Sequence, residues 1–348
     1  MTKKVLVVTN MYPNKKSPAA GVFVRKMTQQ LQENIDFSVA LWVIPNVSNK
    51  LIAYCLFYLG FIFKLLIFRP KIVYCHFVSH TGLLGVLAKT LLGCKLVLNC
   101  HGSDVMNSIH SNKFKFKLNN YLFSCADKII VPSVFLQSVV HKHFAVLNRK
   151  MFIYPSGGIF IPHNQIKKND DSQQTSVIRI GYVGRLIESK GINVLTAALS
   201  KLNNVELLVA GSGDISLLKN NINPQVKLTY LGEVPQHKLH DMYEQIDLLV
   251  FPTLLQESLG LTPLEAMAFS VPVIGSNIGA VSEYVINNKT GLLVTPGSVD
   301  ELASAIIKFT KMTTDETEVL KTNARNMAKK YDEENIRHAL AELINNLA

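Results

Sequence analysis

Acidic residues are scarce in the first half of the chain. Residues 1–163 contain four Asp or Glu and 19 Lys or Arg, a formal charge of +15, whereas residues 164–348 carry a charge of −4. This half is either an ordinary basic domain or one that meets an anionic surface or substrate. A length of 348 residues predicts about two domains, and 48% hydrophobic residues favour a large buried core over intrinsic disorder.

Cysteines are also few, and we expect no signal peptide at the start of the chain. The five cysteines form no Cys-x-x-Cys pair, which favours reduced thiols in a cytosolic protein over a disulfide framework. They are Cys55, Cys75, Cys94, Cys100 and Cys125. The opening MTKKVLVVTNMYP turns polar after a short apolar run, so it predicts a first β-strand.

Two cofactor signatures are incomplete. His76 and His80 lie four residues apart, but no spaced third ligand and no Asp-x-Asp pair accompany them, so a metal site is not favoured. The segment LLVAGSGD offers Gly-x-Gly, yet Ser216 stands where a dinucleotide-binding motif has its third glycine. We therefore interpret this segment as a tight turn between a strand and a helix.

One apolar run, LIAYCLFYLGFIFKLLIF at residues 51–68, has the composition of a membrane helix. As a helix its 18 residues would extend about 27 Å, just short of a bilayer core. It lies between two strand-like runs, and moving it into a membrane would interrupt their alternation. We expect a helix that belongs to the fold and has an apolar outer face, part of which can enter lipid.

Short apolar runs rich in β-branched residues alternate with helical stretches, which is typical of parallel sheets covered on both faces. In the first half they are Val5–Thr9, Phe37–Ile44, Ile72–Cys75, Leu96–Asn99, Lys128–Val131 and Met151–Tyr154. In the second half they are Val177–Val183, Val205–Ala210, Val226–Leu231, Leu248–Phe251, Val273–Gly275 and Leu292–Val294. Two such series predict an α/β protein with two Rossmann-like domains that face each other across a cleft.

The predicted domains are residues 1–163 and 177–330. Residues 164–176 are polar and poor in apolar side chains, as linkers are. A last helix over residues 331–348 has apolar positions at helical spacing and can pack on either domain, including back on the first.

A glycine and two cations follow the first strand of the second half. In GYVGRLIESKG, Gly184 allows a tight backbone turn, and Arg185 and Lys190 lie close to the next helix start. A helix N-terminus with added positive charge suits phosphate. The pattern indicates either a phosphate site or a glycine turn with solvated charges.

Two glutamates accompany a helix start in QESLGLTPLEAM. Thr262, Pro263 and Glu265 fit the N-cap, first and third helical positions, which predicts a capping box and gives Glu265 a structural role. Glu257 precedes this helix and has no such role. A glycosidase pair would need its carboxyls about 5–10 Å apart around one sugar. A carboxylate beside Gly260 and a helix start is more typical of a nucleotide clamp.

The first half has its own candidates. Gly21 precedes a helical run after the first strand, where a backbone can approach a phosphate, and His101 and Asp104 lie just beyond the fourth strand. The segment NKFKFKLNNYLF alternates Lys113, Lys115 and Lys117 with aromatic residues. This segment suits nucleic acid, lipid headgroups or a solvated amphipathic surface; since no nucleic-acid motif accompanies it, we favour a membrane surface.

These motifs, in this order, resemble the family 4 glycosyltransferases. The matching segments of the first half are VVTNMYP, GVFVRKMTQQL, CHGSD, VPS and YPSGGI. Those of the second half are GYVGRLIESKG, GSGD, YLGEVP, FPTLLQESLGLTPLEAMAFSVPVIGSNIGAVSE and NKTGLLVTPG. The resemblance covers nearly the whole chain and implies the GT-B fold. It also implies retaining transfer of a hexosyl or N-acetylhexosaminyl group from a nucleotide sugar, with no metal or other cofactor.

The resemblance also implies roles for individual residues. The residues it assigns to catalysis are His101, Arg185, Lys190 and Glu257. Those it assigns to the donor are Gly21, Gly184, Arg185, Lys190, Glu233, Val234, Glu257, Leu259, Gly260, Leu261 and Glu265. Within this set the cations hold the diphosphate, Glu257 contacts the sugar, Glu265 accepts from the ribose, and the segment around Glu233 meets the base.

The acceptor follows from the basic first half. We expect a UDP-sugar as donor and a lipid-linked glycan as acceptor, at the cytoplasmic face of a membrane, in O-antigen, capsule or exopolysaccharide assembly. Asp104, Lys113, Lys115 and Lys117 are assigned to the acceptor and an anionic membrane surface, and no nucleic-acid partner is expected. The alternatives are a nucleotide-sugar epimerase of the same fold and a non-catalytic membrane-binding protein.

The sequence departs from the family pattern at two positions. Ser270 stands where the family often has Gly, and Ala280 replaces one Gly of a common Gly-Gly pair. Both positions affect the backbone near the donor, so they bear on which donor is used.

Overall fold

The computed structural model describes residues 3–14, 20–35, 37–111, 113–163, 177–219 and 222–347. The chain divides into two compact units. Unit 1 comprises Met1–Gly158 and Glu334–Ala348, and unit 2 comprises Ile159–Glu333. The division therefore precedes the boundary predicted at residue 163. The predicted linker, residues 164–176, lies outside the described residues.

Unit 1 is built on a six-stranded parallel sheet whose strands match the six predicted from its apolar runs. They are β1 (Lys4–Thr9), β2 (Ser38–Val43), β3 (Ile72–His76), β4 (Lys95–Asn99), β5 (Lys128–Val131) and β6 (Met151–Ile153). Their order is β2-β1-β3-β4-β5-β6. The helices are α1 (Val22–Asn34), α2 (Lys50–Phe68), α3 (Val78–Leu92), α4 (Ser103–Ser111), α5 (Lys113–Cys125) and α6 (Val134–Phe144). Strands β1 and β3 are almost wholly buried because helices cover both faces of the sheet.

Helix α2 is the long apolar segment. Asn49 caps it by accepting from the backbone N–H groups of Leu51 and Ile52 at 2.9 and 3.3 Å. Its buried side chains recur every four residues, at Ala53, Phe57, Phe61 and Leu65, and the three larger ones belong to the core of unit 1. Among the described residues, this helix alone is long and apolar enough to cross a membrane. It is nevertheless part of the fold, between β2 and β3, as the sequence predicts.

Unit 2 repeats the plan with a second six-stranded parallel sheet, and its strands again match the predicted ones. They are β7 (Ile178–Val183), β8 (Val205–Ala210), β9 (Lys227–Gly232), β10 (Leu248–Phe251), β11 (Val273–Ser276) and β12 (Gly291–Val294). The order is β12-β11-β10-β7-β8-β9. The helices are α7 (Ile192–Leu199), α8 (Ser216–Lys219), α9 (Leu239–Gln245), α10 (Leu261–Ala268), α11 (Val299–Thr310) and α12 (Thr314–Ala328).

The last helix, α13 (Glu333–Leu347), returns to unit 1. Its buried Leu340, Ala341 and Ile344 share a hydrophobic cluster with Val5 of β1 and Tyr74 of β3. The apolar side chains of α13 therefore cover the face of the unit 1 sheet opposite to α2.

Helix α2 offers a matched pair of phenylalanines for a stability test. Phe61 is 0% exposed and Phe63 is 70% exposed. Phe61→Ala leaves a cavity in the core, so we expect it to lower the free energy of unfolding by about 3–5 kcal/mol. Phe63→Ala should change it by no more than about 0.5 kcal/mol. Urea denaturation of the two variants measures the difference, and equal losses would contradict the orientation of α2.

Candidate functional site

The strand order of unit 2 changes direction between β7 and β10. From this point β8 and β9 follow on one side and β11 on the other, and a change of direction of this kind places a ligand crevice at the carboxyl edge of the sheet. A pocket lies there. The residues that line it are Tyr182, Val183, Gly184, Arg185, Lys190, Phe251, Glu257, Gly260, Leu261 and Thr262. Six residues that the sequence assigns to the donor are thereby brought together.

The two loops touch through their backbones. Gly191 has a φ of +74°, and a Cβ at this position would lie 1.8 Å from the carbonyl oxygen of Pro252. Beside it, the N–H of Leu254 donates to the carbonyl of Ser189 at 3.0 Å. Only glycine permits this approach, which fixes the position of Lys190 relative to the loop after β10.

An ion pair joins the loops at the pocket. Nζ of Lys190 lies 2.5 Å from Oε1 of Glu257, and the side chains are only 18% and 15% exposed. Oε1 also accepts from the hydroxyl of Thr253 at 3.0 Å, and the ammonium lies 5.9 Å from the ring centre of Phe251. Because solvent is largely excluded, removing either charge would leave the other uncompensated.

Arg185 is exposed just after the end of β7, and two neighbouring segments fix the position of its backbone. The hydroxyl of Tyr182 donates to the carbonyl of Arg185 at 2.9 Å. A Cβ at Gly211 would lie 1.8 Å from the carbonyl oxygen of Gly184, so the Gly-x-Gly segment after β8 packs directly against the turn after β7. The GSGD motif thus supports this turn, and Asp214 accepts from the N–H of Ser216 at 2.9 Å.

Helix α10 begins earlier than the sequence predicts, and the predicted capping box is wrong. The N-cap is Gly260, with a φ of 81°, so Thr262 and Pro263 lie inside the first turn and Glu265 is beyond it. The chain enters the helix early because glycine adopts a left-handed conformation and the buried Tyr284 donates to the carbonyls of Leu259 and Gly260 at 2.7 and 3.1 Å.

Glu265 is held by side chains. Nε2 of Gln236 donates to Oε1 at 2.5 Å, and the hydroxyl of the buried Tyr243 donates to Oε2 at 3.1 Å. Gln236 follows Glu233 and Val234, the segment assigned to the base. The glutamate assigned to the ribose is therefore joined to that segment.

Leu259 and the two departures from the family pattern concern the backbone. The side chain of Leu259 is buried in the core, so only its backbone is left for a ligand. Ser270 has a φ of 58°, in the left-handed region that glycine, the residue often found here in the family, adopts without strain. Gly279 keeps its positive φ of 61° and packs against the backbone of Glu257. Ala280 donates its N–H to the Glu257 carbonyl at 2.9 Å.

In unit 1, His101 lies beyond the end of β4 in an aromatic setting. Its ring centre is 4.8 Å from that of Phe23 and 4.4 Å from that of Phe77. Nε2 lies 3.0 Å from Nδ1 of the buried His76, and the two rings are stacked. Burial lowers the pKa of His101 to about 3, so the imidazole is neutral at physiological pH. His80, in contrast, bonds through Nδ1 to the hydroxyl of Tyr54 at 3.1 Å.

Asp104 is bonded within the protein. Its carboxylate accepts from the N–H groups of Val78 and His101 at 2.9 and 3.0 Å, and burial raises its pKa to about 6. These bonds join the loops after β3 and β4.

Gly21, at the start of α1, has a φ of +70°, and a Cβ there would lie 2.8 Å from the carbonyl of Met11. Asp104 and Gly21 thus both have a role in the backbone geometry of this edge.

A second pocket lies at the carboxyl ends of β1 and β2. Asn10, Tyr12, Lys50 and Tyr54 contribute its polar and aromatic groups, and Lys50 and Tyr54 come from the first turns of α2. Within the described residues, Oδ1 of Asn10 is buried without a hydrogen-bond partner. Such an atom suits a hydroxyl or amide donor of a ligand.

The predicted basic segment forms helix α5, where Lys113, Lys115 and Lys117 are all exposed. Phe116 packs against Phe144 with ring centres 4.8 Å apart, whereas Phe114 is 74% exposed. The Lys/Phe alternation therefore gives a cationic surface with one outward phenylalanine.

Four supporting residues could not be recognised from the sequence: His76 as a partner of His101, Thr253, Tyr243 and Tyr284. His76, Tyr243 and Tyr284 act through a ring nitrogen or a hydroxyl on residues more than 20 positions away. His76 ends β3 and Tyr243 lies inside α9, where apolar periodicity alone explains their neighbours. The nearest signal was the loop position of Thr253, four residues before Glu257.

Two family models match the chain in succession. Glycosyltransferase Family 4 matches residues 4–157, and Glycosyl transferases group 1 matches residues 164–327. The chain belongs to the family 4 glycosyltransferases.

Relatives of this glycosyltransferase include proteins of bacterial polysaccharide synthesis. The putative teichuronic acid biosynthesis glycosyltransferase TuaC of Bacillus subtilis is 27% identical over 250 residues, 69% of this chain and 61% of the relative. The capsular polysaccharide biosynthesis glycosyltransferase CapM of Staphylococcus aureus is 35% identical over 141 residues, 37% of this chain and 36% of the relative. Each alignment spans less than two thirds of the relative's own length.

Solved structures share the fold along the whole glycosyltransferase chain. Sucrose-phosphate synthase from Thermosynechococcus elongatus superimposes with a TM-score of 0.84 at 19% identity, covering 99% of both chains. HepE of Anabaena, in complex with UDP and glucose, gives 0.75 at 18% identity, covering 99% of this chain and 100% of that one. The predicted GT-B fold is confirmed.

Gly191 and Gly232 provide a matched test of the contact between the loops. Both have positive φ, but among the described residues nothing lies within 4 Å of a Cβ built at Gly232. Gly232→Ala should therefore lower the free energy of unfolding only by the left-handed penalty of about 1–2 kcal/mol. Gly191→Ala must also separate the loops and should cost about 2 kcal/mol more. Urea denaturation compares them, and equal losses would contradict the close approach.

Proposed function

We propose that this family 4 glycosyltransferase transfers a sugar from a nucleoside diphosphate sugar, a UDP-sugar, to a lipid-linked glycan with retention of configuration. The observation that carries the proposal is the joint position of Arg185, Lys190 and Glu257 around one pocket, where the strand order of unit 2 changes direction. Two cations and an anchored carboxylate at such an edge match the charges of a sugar diphosphate.

The chemistry follows from the charge that develops on the leaving group. Breaking the bond between the sugar and the diphosphate adds negative charge to a phosphate oxygen, which preorganised cations stabilise. The ammonium of Lys190 has three N–H donors, so it can bond Glu257 and phosphate oxygens together. Arg185 adds a planar set of donors. We propose that these cations suffice and that turnover needs no divalent ion.

Glu257 then acts as an acceptor for hydroxyls of the donor sugar. Its Oε1 already accepts from Lys190 and Thr253, and these bonds hold the carboxylate in place for the sugar hydroxyls. Glu265 is proposed to accept from the ribose, with Tyr243 holding the carboxylate and Gln236 yielding its place to the ligand. His101, neutral in its aromatic setting, is proposed to contact the sugar.

We place the acceptor on unit 1. The pocket of Asn10, Tyr12, Lys50 and Tyr54 combines aromatic faces, an amide and a cation, which suits a sugar attached to phosphate. The basic charge of this half and the exposed lysines of α5 favour an anionic membrane at the cytoplasmic face. The names of TuaC and CapM support a role in surface-polysaccharide assembly, and HepE in complex with UDP supports a uridine donor.

A panel of UDP- and GDP-sugars tests the donor site. One UDP-sugar should release nucleotide, with or without EDTA, and NMR of the donor incubated alone should detect no epimer. Arg185→Ala and Glu257→Ala should each lower turnover by about 100-fold or more, because each removes a group that faces the diphosphate or sugar.

The control is Arg179→Ala, which removes an arginine of β7 that pairs with Asp247 and does not line the pocket. It should retain turnover within about twofold, because it does not contact the donor. If both pocket variants stay fully active, the assignment of the site is wrong.

A further inference from the structure

Helix α2 presents an apolar surface that the fold does not cover. Five of its side chains are more than half exposed: Leu51, Leu59, Phe63, Leu66 and Ile67. This surface, here called the α2 outer face, extends along the whole helix. The 19 residues of α2 extend about 28 Å. The outer face is therefore a continuous apolar surface and not a single exposed side chain.

The opposite stripe of α2 prevents a transmembrane arrangement. Phe57, Phe61 and Leu65 are 0% exposed in the core of unit 1, so a spanning helix would have to abandon that core. A helix buried on one side and apolar on the other is suited to lie in the plane of a membrane, with its outer side chains among the acyl chains.

The charges around α2 point to a lipid surface. The sequence has no Asp or Glu from residue 37 to residue 103. Lys50 begins the helix, and Lys64, Arg69 and Lys71 lie at its other end. A second copy of the chain on this surface would bring like charges together without an acidic partner. An anionic bilayer instead supplies phosphates for the cations at both ends of the helix.

We propose that α2 lies in the interface of an anionic membrane with its outer face inserted among the lipids. This inference extends the proposed function, because it gives the lipid-linked acceptor a place beside the pocket that begins at Lys50 and Tyr54. It also separates two contributions to membrane binding: insertion of α2, which resists salt, and attraction by the α5 lysines, which salt screens.

Co-sedimentation with vesicles of phosphatidylglycerol and phosphatidylcholine tests the proposal. In about 0.5 M salt, where exposed charges are largely screened, wild type should keep a bound fraction. The triple variant Leu59→Gln/Phe63→Gln/Ile67→Gln should lower the salt-resistant partition coefficient by about tenfold or more. Lys113→Glu/Lys115→Glu/Lys117→Glu should weaken binding at low salt only.

The matched control replaces three exposed apolar residues elsewhere, Leu147→Gln/Ile307→Gln/Val319→Gln, and should bind as wild type does. Absence of salt-resistant binding, or equal binding by the triple variant, would overturn the proposal. So would a lipid-free dimer of wild type that the triple variant loses in light scattering. Donor turnover without acceptor should be unchanged in the α2 variant. Its absence in wild type would therefore count against the proposed function and not against α2.

A separate observation concerns the two histidines of unit 1. Nδ1 of His76 and Nε2 of His101 are 3.0 Å apart, so one nitrogen donates to the other. Among the described residues, the buried Nε2 of His76 has no hydrogen-bond partner. If His101 were the donor, neutral His76 would carry its proton on that partnerless nitrogen, and a buried orphan N–H is the rarer and costlier arrangement.

We infer that His76 donates from Nδ1 and thereby fixes His101 in the tautomer that carries its proton on Nδ1. His76 is then a positioning residue, which decides that Nδ1 of His101 is a hydrogen-bond donor rather than an acceptor. This step rests on the proposed role of His101, but the tautomer itself is independent of any activity.

Nitrogen-15 NMR of the imidazole rings tests this inference directly. The His101 signals, assigned by their loss in His101→Gln, should have the shifts of an Nδ1–H tautomer. His76→Asn, whose amide can donate from a similar position, should keep that tautomer and keep kcat within about threefold. His76→Leu should shift the population to Nε2–H and lower kcat by about tenfold with little change in the donor KM. An Nε2–H tautomer in wild type would overturn the inference.

Discussion

The candidate site depends on the backbone contact between the loops that leave β7 and β10. Gly191 against the carbonyl of Pro252 brings these loops close enough for Lys190 and Glu257 to pair. The pair in turn keeps an ammonium group fixed in a pocket where water is largely excluded. A cation held in this way needs little reorganisation when charge develops on a departing phosphate. One glycine thus connects the strand order of unit 2 with its proposed chemistry.

Much of this fold could be predicted from the sequence because parallel sheets leave a strong signal. Buried strands such as β1 and β10 are short apolar runs, and the helices between them require no partner strand nearby in sequence. The prediction was wrong at the start of α10. Thr262 and Glu265 satisfy the spacing of a capping box, but Gly260 together with the distant Tyr284 lets the helix begin earlier. Spacing rules describe local bonds and contain no information about a tyrosine 24 residues away.

That correction changes how the two glutamates of QESLGLTPLEAM are understood. Glu265 lies beyond the first turn of α10, outside the predicted capping box, and its carboxylate accepts from Tyr243 and Gln236. Glu257 is anchored by Lys190 and Thr253. The residues that do this positioning are a tyrosine, a glutamine and a threonine in unremarkable sequence contexts. The resemblance to a family indicated the glutamates, and only the three-dimensional structure identifies what orients them.

The two units differ in charge and in exposed apolar surface. Unit 2 places Arg185 and Lys190 at one pocket, whereas unit 1 has a large excess of basic residues and leaves one side of an apolar helix exposed. These are the surfaces expected of a protein that takes a small anionic donor from water and an acceptor from a membrane. The proposed function depends above all on binding of the nucleotide by unit 2. A crystal structure with UDP tests it most directly: we expect the diphosphate at Arg185 and Lys190, the ribose at Glu265 and the uracil beside Glu233 and Val234. Density for UDP away from the carboxyl ends of β7 and β10 would contradict the account.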